Sequence, residues 1–138
     1  MHFDKTISME QQARAITRSC FQQIRNIGRI RSLISVDACR TLVCTLVISR
    51  LDYGNALLYG TNNNIISKLQ RVQNTAARLI TRKRKYDSIT PVFISLHWRN
   101  VHYRCQYKLL IYVYKAQHGK APSYLQELIT PYKPNRAL

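Results

Sequence analysis

Acidic residues are scarce in this chain. Six Asp and Glu stand against 22 Lys and Arg over 138 residues, a formal net charge of +16. The acids are Asp4, Glu10, Asp37, Asp52, Asp87 and Glu127, scattered singly with no DD or ExxE pair. General acid–base and two-metal chemistry need carboxylates held close together. No catalytic residue, metal site or cofactor is therefore expected, and no Ser/His/Asp set, P-loop or GxGxxG motif suggests a small-molecule substrate. Gly and Pro are also few, four each, which argues against an all-β chain rich in tight turns. The four cysteines, Cys20, Cys39, Cys44 and Cys105, include no CxxC pair. Reduced, buried thiols are the expectation, as is usual inside the cell. No apolar run reaches the ~18–20 residues of a membrane span. The opening MHFDKTISME lacks the apolar core of a signal peptide. The expected location is intracellular, in nucleus or cytoplasm, with no membrane partner.

What remains is apolar enough to fold. Hydrophobic residues make up 46%, too many for a disordered basic tail. The length suits one domain over 1–138, and the patterning predicts an all-α bundle of five or six helices. Residues 1–7 read as a short extended lead-in, 8–85 as a basic helical bundle, 86–130 as C-terminal helices and 131–138 as an irregular tail. Ser8 offers a helix cap, with Gln11 at the capping-box position. Ala13, Ile16, Cys20, Ile24 and Ile27 then form one apolar helical face, which Gly28 should end or kink. Ser35 caps a second helix whose run LVCTLVIS suggests burial on all sides. Asn62 to Asn64 mark a turn and a new cap before a third helix at about Ile65–Thr81. Thr90-Pro91 opens a short helix. Asn100 caps a fifth helix, Val101–His118, closed by Gly119. Ala121-Pro122 opens a last one through Ile129.

The third helix carries the sharpest signal. Lys68, Arg71, Thr75, Arg78 and Arg82 recur at alternating steps of three and four, which places them on one line beside the apolar face. Lys83, Arg84 and Lys85 extend the charge, and Leu57 to Lys85 contains no acid. An ordinary solvated face would mix Glu with Lys or Arg at four-residue spacing. Cations at this pitch can instead follow a phosphate backbone. The candidate nucleic-acid-binding set is Lys68, Arg71, Gln73, Asn74, Arg78, Arg82, Arg84 and Lys85. The two amides would reach sugars or base edges. Further cations lie at Arg14, Arg18, Arg25, Arg29 and Arg31, and at Arg104, Lys108 and Lys115. The tyrosines of the fifth helix can stack on bases, but at helical spacing they are expected to be core. His97, His102 and Cys105 could clip a metal, although His97 and Trp98 are expected to pack between helices.

Several strings occur in an order that resembles a known family. They are SRLDYGNALLYG (Ser49–Gly60), KLQRVQNTAARLIT (Lys68–Thr81), LHW (Leu96–Trp98), YK (Tyr107, Lys108) and APSYLQEL (Ala121–Leu128). The series is similar to the region just downstream of the reverse transcriptase core in LINE-class non-LTR retrotransposon polyproteins. FDKTISM (Phe3–Met9) resembles the end of that family's palm. The resemblance implies a helical thumb and post-thumb segment that grips a template–primer duplex, RNA/DNA or RNA, beside an upstream palm. The family's polymerase activity resides in a palm aspartate motif that this chain lacks, so the chain itself is expected not to be an enzyme. It departs from the family pattern at Arg99-Asn100 and at Gly54, and the family commonly continues past Arg136-Ala137-Leu138 with more basic residues. The other expectation is a structural relic whose helices only pack against a missing polymerase core.

Overall fold

The computed structural model describes residues 9–53, 55–129 and 135. The expected extended lead-in, the Ser8 cap and the expected irregular tail lie outside the described residues, Asn135 apart. Among the described residues the chain is all-α, with no strand. α1 spans Met9–Ile30 and buries Ala13, Cys20, Ile24 and Ile27. Gly28 does not end it, contrary to expectation. The helix runs two residues further, and Gly28 lies against Leu79, 3.9 Å from where a Cβ would stand. A 3-10 turn, Arg31–Leu33, follows.

The Ser35 cap is as expected. Its hydroxyl accepts from the Ala38 amide at 3.1 Å and starts α2, Val36–Val43. A π-helical turn, Cys44–Ile48, joins α2 to α3, Ser49–Asp52. This rod is not buried on all sides. Cys39, Val43, Val47 and Leu51 face the core at steps of four. Thr41, Thr45 and Ser49 lie exposed on another face, each hydroxyl donating to the carbonyl four residues back. Those internal bonds satisfy the hydroxyls, which suits them to a solvated face. Three steps of four would drift by about 120° in a regular α-helix. The wider π turn takes back part of that drift, so both halves present their apolar residues to one core.

α4, Asn63–Thr81, is capped by Asn62, whose side chain accepts from the Asn64 amide at 3.0 Å. It ends at Arg82, which takes a left-handed conformation at φ 55°. α4 runs parallel to α1. Glu10 and Lys68 meet near their first turns at 3.4 Å, and Arg31 reaches the Leu79 and Ile80 carbonyls near their last. The α2–α3 rod connects them and completes a three-helix core. α5, Thr90–Leu96, starts with Pro91 in its first turn and packs on α4. α6, Val101–Gln117, crosses α4, α3 and the 3-10 turn Asn55–Leu58, and α7, Ser123–Glu127, sits on α6.

Two expectations about aromatic and imidazole groups are corrected. His97 is exposed in a left-handed turn at φ 56°, while Trp98 is half-buried and edge-on to Phe93 at 6.1 Å. The tyrosines of α6 are not core. Its buried residues are Val101, Cys105 and Ala116, and Tyr103, Tyr107, Tyr112 and Tyr114 remain exposed. Periodicity does not say which of two apolar faces meets the bundle. Here the face with smaller side chains makes the approach.

Candidate nucleic-acid interface

The core face of α4 is set by Ile65, Leu69, Val72, Ala76 and Ile80. The line Lys68, Arg71, Thr75, Arg78 and Arg82 lies on another side, the geometry its spacing requires. Arg71 is exposed and makes no side-chain hydrogen bond or ion pair among the described residues. The other members are partly engaged. Lys68 Nζ approaches Glu10 Oε1 at 3.4 Å, and Arg14 Nη2 donates to the same oxygen at 3.0 Å. The Lys68 hydrogen bond, with help from Arg14, holds the Glu10 carboxyl below its ordinary pKa. Thr75 turns its hydroxyl onto the Arg71 carbonyl at 2.8 Å. Arg78 Nη2 reaches the Asp87 carbonyl at 3.4 Å, and its Nε is buried without a partner. Arg82 Nη2 donates to the Arg31 carbonyl at 3.3 Å.

Beyond α4, Arg84 and Lys85 are exposed on a turn. Asp87 organises that turn, its carboxylate accepting from the Arg84 amide at 2.8 Å. Six of the eight residues singled out from the sequence thus belong to one basic surface: Lys68, Arg71, Arg78, Arg82, Arg84 and Lys85.

Gln73 and Asn74 do not. Gln73 is wholly buried. Its Nε2 donates to the Arg99 carbonyl at 2.8 Å. Gln70 Nε2 donates to Gln73 Oε1 at 3.0 Å and to Asn74 Oδ1 at 2.8 Å. Gln70 Oε1 in turn accepts from the Val101 amide at 2.9 Å. These amides join α4 to the start of α6. A buried polar side chain needs such partners, and the network withdraws Gln73 from any ligand.

The other cationic sets divide in the same way. Arg18, Arg25 and Arg29 are exposed on α1. Arg31 is buried, contrary to its grouping with them, and donates to the carbonyls of Leu79, Ile80 and Ile34 at 2.9, 2.8 and 3.2 Å. Arg104 is bound by Asp52, with Nε to Oδ1 at 2.8 Å and Nη2 to Oδ2. That hydrogen bonding raises the Arg104 pKa against the opposing effect of burial. Arg40 donates to the Leu96 carbonyl at 3.2 Å. Among the described residues, no three His, Cys, Asp or Glu side chains converge as a metal site.

The resulting surface can attract a polyanion and hold it by several separate charge-assisted contacts. No family model, curated protein or solved structure matches the chain.

Proposed function

We propose that this chain is a non-catalytic segment that holds nucleic acid, the thumb and post-thumb part of a LINE-type reverse transcriptase. An upstream palm would supply the chemistry. The observation that carries this reading is the outer surface of α4 and the following turn. Arg71, Arg84 and Lys85 are exposed there, and Lys68, Arg78 and Arg82 border them, each with one partner: Glu10, the Asp87 carbonyl and the Arg31 carbonyl. Such a surface tracks phosphates and not sequence. α1, packed along α4, brings Arg18, Arg25 and Arg29 on the same pair of helices.

Salt titration of binding to an RNA/DNA duplex tests the reading. About four phosphate contacts give a log–log slope near −3 to −4. Replacing Lys68, Arg71, Arg78 and Arg82 together by Gln should flatten the slope markedly. Unchanged binding and slope in the folded variant would overturn the assignment.

A second reading, a packing relic of a lost polymerase core, is favoured by one observation. Leu33, Val36 and Ile94 are exposed, at 82%, 55% and 69%. That reading expects self-association on sizing chromatography and no duplex binding.

A further inference from the structure

We propose that the outer face of α6 is a separate binding site for single-stranded nucleic acid. Tyr103, Tyr107, Leu110 and Tyr114 stand at i, i+4, i+7 and i+11, which is one line along the helix. Each is more than half exposed: 56%, 56%, 64% and 54%. The line is opposite the face that α6 buries through Val101, Cys105 and Ala116. Four large side chains exposed in a row form a stripe of the kind that marks a binding surface. The Tyr114 ring stacks on His118 at 4.1 Å, which leaves Tyr103 and Tyr107 to take bases.

Charge identifies the occupant. α6 contains no Asp or Glu. The Arg99 guanidinium lies 5.5 Å from the Tyr107 ring centre and the Lys120 ammonium 5.9 Å from that of Tyr114. Rings with cations held against them match a ligand that presents planar apolar faces and anionic links together. Single-stranded nucleic acid has that chemistry. A second copy of this chain would set the same cations against each other.

The spacing selects a single strand over a duplex. Tyr103 and Tyr107 are offset by about 6 Å along the helix axis. Nucleotides in a duplex strand repeat every ~3.4 Å. Successive rings can therefore each take a base only if the bases are splayed apart, as in an unpaired strand.

The surface is also shaped for it. Arg99, Tyr103, Tyr107 and Leu110 line a shallow cavity of about 400 Å³. Arg99 and Tyr107 are shared with a second cavity of about 390 Å³, which reaches Arg104, Lys108 and Asn55. Asn55 is 3% exposed, and its Oδ1 is buried without a partner. A buried acceptor left open is costly, and Asn55 is among the residues that line this cavity. The one acid there, Asp52, is already occupied by Arg104.

This site shares no residue with the α4 surface, so either can fail alone. The probes are an oligothymidylate of about 12 nucleotides and an abasic strand of equal length, a span suited to one such groove. The full chain should bind the thymidylate at least about tenfold more tightly than the abasic strand, since stacking is lost with the bases. Replacing Tyr103 and Tyr107 together by Ala should remove that preference, and replacing both by Phe should retain it. Both positions are exposed, and unchanged helical circular dichroism would confirm the fold. R71Q/R78Q should weaken duplex binding and leave the thymidylate-to-abasic ratio intact. Equal binding of the two strands by the unmodified chain overturns the proposal. So does an unchanged ratio in the Ala variant. A dimer that the Ala substitutions turn into a monomer, with strand binding unaltered, would make the face a protein contact and also overturn it.

Discussion

Arg31 Nη2 donates to the carbonyl of Ile80 at 2.8 Å, a bond between residues 49 apart in sequence. The same guanidinium serves Leu79 through Nε. The last carbonyls of a helix have no partner within it, and one arginine supplies two of them for α4. The fork geometry explains why an arginine stands there.

Replacing Arg31 by Ala should therefore destabilise the fold by about 2–4 kcal/mol, since buried carbonyls lose charged donors. Replacing it by Lys should recover only part, because an ammonium cannot span both oxygens. Replacing exposed Arg29 by Ala should stay within about 0.5 kcal/mol. Urea unfolding at fixed salt measures all three. Equal effects at 29 and 31 would refute the cap.

Gln73 offers a test that separates support from contact. Replacing it by Leu leaves the Arg99 carbonyl without its donor, at a cost of about 1–3 kcal/mol. The salt slope of duplex binding should not move. Arg71→Gln should do the opposite, lowering the slope by about one unit with little change in melting temperature. If Gln73→Leu weakened binding in a fully folded protein, the amide would have to be reassigned to the interface.

Glu10 holds two cations that would otherwise be available to phosphates. Replacing it by Gln should strengthen duplex binding and steepen the slope by up to about one unit. Protonation should act in the same direction. Lys68 and Arg14 lower the Glu10 pKa from the usual 4.5. Its contribution to stability is thus present above that value and is lost as pH falls through the depressed one. Titration of the Glu10 carboxyl by NMR would check the direction. A normal or raised pKa would break the link.

Burial raises the thiol pKa of Cys20, Cys39 and Cys105 above the usual 9.0. Thiolates are the reactive form, so these three should resist alkylation until the protein unfolds. Half-buried Cys44 should be labelled first. The sign for stability follows from the raised pKa. The folded state gains from these groups below pH 9.0 and loses that gain as pH rises through the higher folded values. Rapid labelling of four thiols in the native protein would contradict the burial.

Much of the architecture was legible from local chemistry. Ser35, Asn62 and Pro91 each announced a helix start, and α4 was readable from Ile65 to Thr81 because its caps and periodicity agree. The side of burial was less legible. In α6 the alternative faces both carry apolar residues, and the choice depends on what the bundle leaves open. The candidate surface was partly visible for a similar reason. An acid-free stretch in sequence is not acid-free in space, since Glu10 arrives from α1 across 58 residues. Gln73 looked like a polar neighbour of the stripe, yet a core amide and a surface amide have the same one-dimensional signature.

The parallel course of α1 and α4 has an electrostatic consequence. Parallel helices align their macrodipoles side by side, where antiparallel neighbours would partly cancel. Like poles then meet at both ends of the pair, at about half an elementary charge each. Glu10 stands at the positive pole and Arg31 and Arg82 at the negative one, each with the sign that relieves the repulsion. The dipoles add no net charge, but they make the cations at the C-terminal end of the pair serve in part as counter-charge for the backbone, so an incoming polyanion meets less free positive charge there than at the middle of the stripe.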